Sequence, residues 1–293
     1  MRTILRSIPA LAVLALIAAV PAKAQETTAS PDAPLSTVTD AELSKDTIMI
    51  GIGGATVPTY EGSAHNHFIP VGLARGTIGG ISFQTQGTQL FVNVVPSSAG
   101  PGYKFEFGPV VGANFARTVK KSGDARVDLL GKKKVAGEIG AYVGFGKTGL
   151  ITSDFDTLSA SVAYVHDVTG VSDSYVVTPQ IVYGTPLSRK AYVRISADAS
   201  YAGGRYADTY FGIDTAGALR SGLPRYNPGK GWKDWSVAAL GNYALTGDLL
   251  GGLSAIVGVS YSHVLGDFAR SPIVAVAGDK NQWYGAVGLA YTF

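Results

Sequence analysis

The chain of 293 residues contains no cysteine. Disulfides, thiolate metal sites and the lipidated cysteine of a bacterial lipoprotein are therefore excluded. Charge is scarce as well, at 15% of residues, and nearly balanced between 24 Lys+Arg and 21 Asp+Glu. Residues 1–24 hold three of the basic residues (Arg2, Arg6 and Lys23) and no acidic ones, so the remainder carries 21 of each sign. Nothing in that balance points to nucleic acid. Beyond residue 24 no uninterrupted apolar run approaches the roughly 20 residues that a spanning helix requires.

What is present is unusual for a soluble enzyme. Mean hydropathy is positive, at +0.19, and the chain carries 38 Gly and 15 Tyr. Positive hydropathy without a spanning helix leaves one other structure that satisfies its backbone in lipid, the closed β-barrel. Residues 1–24 read as a secretory signal peptide: Arg2 and Arg6 precede the short apolar run Ile8–Val20, and "AKA" at Ala22–Ala24 offers a cleavage site. Residues 25–46, rich in Ser, Thr, Pro, Ala and Asp, read as a flexible periplasmic linker.

From residue 47 the chain breaks into segments that alternate with period 2. In "YKFEFGPVVGANFAR", Tyr103, Phe105, Phe107, Val111, Ala113 and Phe115 share one face, and Lys104, Glu106, Gly108, Gly112 and Asn114 the other. At the end of the chain Val287, Leu289, Tyr291 and Phe293 oppose Gly288, Ala290 and Thr292. Segments of this length with aromatics near their ends suit tilted membrane strands. The pattern predicts an all-β, transmembrane, antiparallel up-and-down β-barrel over 47–293. Its twelve strands lie near 47–57, 67–76, 79–86, 88–95, 103–117, 133–147, 156–168, 174–184, 190–203, 233–246, 251–263 and 281–293. The third and fourth are short, and ten strands is the alternative count. Long odd-numbered connections, 118–132, 204–232 and 264–280, against short even-numbered ones fit the outer loops and periplasmic turns of such a barrel. Pro70, Pro109 and Pro179 fall inside predicted strands, so bulges or local gaps are expected there.

Motifs with chemical meaning are few. "GFGKTG" at Gly144–Gly149 resembles part of a phosphate-binding loop, but Ala141 stands where the first glycine belongs and no helix follows. His65 and His67 are two apart on "HNH", short of the ligands a metal site needs. His166 and His263 sit near the outer ends of two strands with no signature of a serine nucleophile and an orienting third group. No catalytic residue, metal site or cofactor is predicted. The inward set mixes signs (Lys104, Glu106, Lys134, Glu138, Arg194, Asp198 and Asp234), which favours a largely plugged lumen over an open pore.

The loops carry recognisable text. It comprises Tyr60, Glu61 and Gly62; Tyr210, Phe211 and Gly212; Ser221, Gly222, Leu223 and Pro224; Gly266 and Asp267; and Ser271 and Pro272. In that order these motifs resemble the MipA/OmpV family of outer-membrane proteins, also called MltA-interacting proteins. The first loop departs from the family's more acidic run by reading "SAHNH". The resemblance implies a non-enzymatic barrel in the cell outer membrane that acts as an envelope scaffold. The implied partners are a lytic transglycosylase and a penicillin-binding protein; a small porin-like channel or a surface adhesin is the alternative. Tyr291 and Phe293 are expected to serve as the signal read by the outer-membrane assembly machinery. Lys120, Lys121, Lys132 and Lys133 are expected to meet lipopolysaccharide phosphates, the alternative being a solvated loop in which Asp124 and Asp128 cancel part of the field.

Overall fold

The computed structural model describes residues 46–96 and 100–293; the predicted signal peptide and nearly all of the predicted linker lie outside the described residues. Twelve antiparallel strands close into one barrel. They are β1 Thr47–Pro58, β2 Asn66–Ile78, β3 Ile81–Gln86, β4 Gln89–Asn93, β5 Gly102–Asn114, β6 Ala136–Thr148, β7 Thr157–Asp167, β8 Tyr175–Pro186, β9 Ala191–Ala202, β10 Gly231–Ala244, β11 Gly252–Val264 and β12 Asn281–Thr292. Each strand pairs with its sequence neighbours, and β1 pairs with β12 from Met49–Thr292 to Thr56–Gly285. The backbone N–H of Phe293 extends that seam by donating to Ile48 at 2.9 Å.

The alternating faces are placed as the pattern requires. Val287, Leu289, Tyr291 and Phe293 are exposed on the outside of β12, and Thr292 faces the lumen. Aromatic rings gather near both ends of the outer wall. Trp235, Tyr261 and Trp283 form a chain with centroids 5.5 and 5.0 Å apart at one end, and Tyr103 stacks on Phe145 at 5.5 Å at the other. An apolar band between aromatic girdles is the exterior of a membrane barrel.

All three prolines sit where the ladder is already open. Ala74 bonds Thr85 of β3 through both its N–H and its carbonyl, so the even residues of β2 turn toward β3; Pro70 lies beyond the last β2–β3 pair. Pro109 lies where the β4–β5 ladder stops at the Phe91–Val110 pair and the Asn93 side chain takes the Phe107 N–H. Pro179 falls in a gap between β8 and β9, whose pairing skips from Val177–Tyr201 to Gln180–Asp198. A missing donor costs nothing where no acceptor waits.

Most boundaries shift by one or two residues, and two move by three. β5 stops at Asn114 rather than 117, and β6 starts at Ala136 rather than 133. Lys134 therefore lies in the connection and is exposed, not in the lumen, because the strand that would have turned it inward begins after it. The long connections also hold five short helices: α1 Ala125–Leu129, α2 Gly204–Phe211, α3 Thr215–Ser221, α4 Gly266–Arg270 and α5 Pro272–Ala275. Local capping explains three of them. Asp124 and Asp214 accept N–H bonds from Arg126 and Gly217 at 2.8 and 2.6 Å, and Pro272 opens α5.

At the opposite end, the turn between β6 and β7 is organised by Asp156, which is fully buried. Its carboxylate accepts the N–H groups of Leu150, Ile151 and Thr152 at 2.7, 2.8 and 2.6 Å and the Tyr183 hydroxyl at 3.0 Å. Burial alone would raise this carboxyl, but those backbone donors and the tyrosine outweigh it and hold it well below the usual carboxylate range. A depressed folded-state value contributes stability that is complete above the ordinary aspartate pKa of about 3.9 and is lost as pH falls below it. The heat-induced gel shift should therefore move to lower temperature as pH drops under about 4. Asp156→Asn should start from a lower temperature at neutral pH and show less of that acid loss. Parallel acid profiles for the two proteins would count against this role.

Candidate functional site

The three long loops and the first short one fold together over one end of the barrel. Their apolar residues form a single buried cluster that includes Tyr60, Val127, Tyr206, Tyr210, Phe211, Leu223, Phe268 and Ile273. Phe211 meets Phe268 edge to face at 5.1 Å, and the Ser271 hydroxyl donates to the Phe211 carbonyl at 2.6 Å. The Tyr60 hydroxyl lies 2.9 and 3.2 Å from the carbonyls of Ile273 and Ala277. Burial first, then the nearby Asp124, pushes that phenol up to about 12, so it remains a donor. Arg117, almost wholly buried, donates to the Tyr210 and Gly131 carbonyls at 3.1 and 3.3 Å. These loops form a plug.

The recognisable motifs converge on this plug. Gly62 has φ +91°, and a Cβ there would stand 2.4 Å from Val274; its N–H donates to Gln282 at 3.1 Å. Tyr210 and Phe211 end α2, and Gly212 follows as its C-cap. The Ser221 hydroxyl donates to the Gly217 carbonyl at 2.7 Å. Gly222, at φ 71°, ends α3 in the left-handed conformation, with Leu223 buried and Pro224 exposed after it. Gly266 begins α4, the next residue Asp267 accepts the Gly229 N–H at 3.0 Å, and Pro272 is buried. The predicted surface lysines divide. Lys120, Lys121 and Lys132 are exposed, whereas Lys133 is half-buried. Burial and then the like charge of Arg117 lower the Lys133 ammonium, with Asp208 and Asp214 opposing. Of the histidines, His65 packs over Gly123 and His67 lies on β2. His166 stands 3.5 Å from Asp173, and His263 2.9 Å from Asn281.

Beneath the plug lies a buried ionic cluster. The β9–β10 ladder slips between Trp232 and Asp234, leaving Lys233 as the extra residue of a bulge. A regular strand would turn Lys233 and Asp234 to opposite faces; the bulge turns both inward. The Lys233 ammonium bonds Glu61 of the first loop, sits 3.0 Å from Asp234 and lies 5.6 Å from the Tyr206 ring centroid. Tyr206 also donates to Glu61 at 3.3 Å. Burial pushes the Glu61 carboxyl above its usual range against the pull of Lys233, and the Asp234 charge adds to the rise. Alternation alone does not reveal Lys233; only the bulge does.

The other inward charges do not pair with each other as the mixed-sign pattern suggests. Glu138 accepts from the amides of Gln89 and Asn114, both at 3.0 Å, and Asp198 from the Ser236 hydroxyl at 2.8 Å. Below them, towards the short turns, the lumen keeps a cavity of about 600 Å³ that reaches strand ends and turns at that end, including Thr47, Pro186 and Leu249. The lumen is thus closed by loops at one end and hollow at the other, rather than filled along its length by paired charges. Among the described residues no helix is long and apolar enough to cross a membrane.

Two solved structures share the outline at great distance. An outer-membrane channel from Pseudomonas putida F1 matches over 85% of this chain and 95% of its own, at 14% identity and a TM-score of 0.38. The toluene transporter TbuX of Ralstonia pickettii matches over 84% and 88%, at 10% identity and a TM-score of 0.31. Likeness this remote says nothing of function. No curated protein matches the chain. The family profile described as "MltA-interacting protein MipA" matches residues 50–293.

The plug and its ionic cluster make separate predictions. Phe211→Ala should cost about 3–5 kcal/mol, the usual loss for a buried phenylalanine. Lys233→Met should also cost about 3–5 kcal/mol, because Glu61 and Asp234 would be left buried without their counter-charge. Adding Glu61→Gln to Lys233→Met should recover part of the loss. Unfolding in urea by intrinsic fluorescence measures all three, and no recovery in the double variant would argue against the cluster.

Proposed function

The chain belongs to the MltA-interacting protein MipA family, and on that premise we propose that it is a non-enzymatic outer-membrane barrel acting as a scaffold of the cell envelope. The loop end faces outward and the end at which β1 starts and β12 finishes faces the periplasm, in keeping with long outer loops and short inner turns. In this reading residues 1–24 are a leader and 25–46 a tether that leaves the barrel on the periplasmic side. A random coil of that length reaches on the order of 25 Å. The family name supports a lytic transglycosylase as partner; a penicillin-binding protein is the second partner proposed for the assembly.

The observation that carries this reading is the buried loop core across the outer end. A diffusion channel needs a continuous water path, and here that path would run through Tyr210, Phe211, Phe268 and Ile273, each about 2% exposed or less. The porin-like alternative draws its support from the cavity below. Planar-bilayer recordings separate the two. Purified protein should show no steady channels, and a variant with 204–229 replaced by a short Gly/Ser turn should show them. Steady conductance by the unaltered protein would favour the channel. Crosslinking in envelopes should capture peptidoglycan enzymes with the full chain and lose them when 25–45 is deleted.

The outer surface supports a further reading, contact between Lys120, Lys121 and Lys132 and lipopolysaccharide phosphates. Each exposed lysine near such a surface contributes about 1 kcal/mol, weakened by salt. Replacing the three with glutamine should lower retained lipopolysaccharide while leaving the folded gel mobility intact. Lys133→Gln should change retention less, because its ammonium is turned into the loops. Unchanged retention in the triple variant would leave a solvated charged loop.

A further inference from the structure

The hollow half of the lumen carries an excess of positive charge. Among the described residues, six ionisable side chains other than tyrosine line the cavity: Arg75, Lys104, Glu106, Arg189, Arg194 and Asp248. Arg189 and Asp248 satisfy each other at the rim, with Nη2 and Oδ2 2.7 Å apart. Three cations and one anion remain, a net charge of +2 on the wall. Among the described residues none of these four makes an ion pair within 4.0 Å or a side-chain hydrogen bond. Arg194 nevertheless feels both the like charge of Arg75 and the opposite charge of Glu106, so the groups converge on one space. Mutually repelling guanidinium groups on a concave wall, with a single carboxylate nearby that pairs with neither, are a site for an anion.

The rest of the wall sets the body of that anion. Phe83, Phe91, Tyr142 and Phe155 line the same cavity, and Leu249 and Leu250 stand at its turn-end mouth. Apolar walls with a few convergent polar groups, at a volume of about 600 Å³, fall in the range of small-molecule sites. We propose that the lumen binds a small organic anion from the turn end, with its carboxylate or phosphate between Arg75 and Arg194 and its apolar or aromatic body against the phenylalanine wall. Lys104 adds to the attraction, and Glu106 limits it. The plug makes the site a dead end, so a ligand enters and leaves by the same mouth. The assignment rests on the cavity and not on the scaffold reading: loss of the partner, or measurable conductance, would leave these charges in place.

Calorimetric titration of the full barrel in neutral-lipid nanodiscs tests it, with four probes: phenyl phosphate, 4-phenylbutyrate, inorganic phosphate and the uncharged 4-phenylbutanamide. Both aromatic anions should bind at least tenfold more tightly than the amide and more tightly than inorganic phosphate. The stronger of the two aromatic anions identifies the source, phosphate ester or carboxylate. The double variant Arg75→Gln/Arg194→Gln should weaken their binding at least tenfold, and Glu106→Gln should tighten it. Lumen substitutions are tolerated by such barrels, and unheated gel mobility verifies that each variant is folded. Equal binding of amide and anions, undiminished binding by the folded double variant, or no binding of either aromatic anion by the unaltered protein would overturn the proposal. Inorganic phosphate binding as tightly as phenyl phosphate would remove the apolar body from it.

Discussion

The pairing of β1 with β12 is the contact on which the rest of the structure depends. In hydrocarbon an unpaired N–H or carbonyl has no water to turn to, and each costs several kcal/mol. A sheet there must close. Closure explains why Phe293 still donates to Ile48 at the last step of the seam. It also explains why the three strand prolines occur at Pro70, Pro109 and Pro179, where neighbouring pairs are absent. The ladder tolerates a missing donor only where it has already been interrupted.

Closure creates a second problem, the lumen. Barrel diameter grows with strand number, and about eight strands already leave an interior that side chains only just fill. Twelve strands enclose more than their own inward residues occupy. The chain solves this at one end only. The loops supply a core of their own, anchored from the first loop by Tyr60 and Gly62 and from the long ones by Phe211, Phe268 and Ile273. The bulge at Lys233 joins this plug to the barrel wall, since it delivers a strand residue to the loop carboxylate of Glu61. Motifs that look like recognition sequences in the text are, in space, packing and turn residues.

How far this was legible depends on the physics behind each element. Long strands show themselves through alternation, because one face meets lipid and the other the lumen; β1, β9, β11 and β12 lie close to the limits their pattern predicts. Short β3 and β4 are legible as elements but not at their ends, where six and five residues leave little periodicity to read. Lys134 reads as a lumen residue if β6 is started at 133, and its exposure follows from the later start at Ala136. Lys233 is hidden for the opposite reason: alternation assigns it the face opposite Asp234, and a bulge overrides alternation. The plug is illegible as a core because its residues come from segments up to about 217 positions apart, as in the bond from Tyr60 to Ala277. No local period links them. Arg75 belongs to the same class, since its importance arises from Arg194 across the lumen.

The charges inside the barrel are sorted along its axis rather than across it. Glu61, Glu138, Asp198 and Asp234 lie in the plugged half, where Lys233 and neighbouring amide and hydroxyl donors attend to them. Arg75, Lys104 and Arg194 lie in the hollow half with Glu106 opposing them, while Arg189 and Asp248 pair with each other at the rim. A pore that passes ions needs sites weak enough to leave on both sides. Here an anion drawn inward past the three cations would meet the acidic half and then a dry core, while a cation would be repelled at the mouth. The arrangement holds a negative group in the turn-end half, where Arg75 and Arg194 lie three residues from the ends of β2 and β9, and lets it go no further. That polarity, with the loop core above it, sets the barrel's interior up as a receptacle opening on the side from which the chain itself enters.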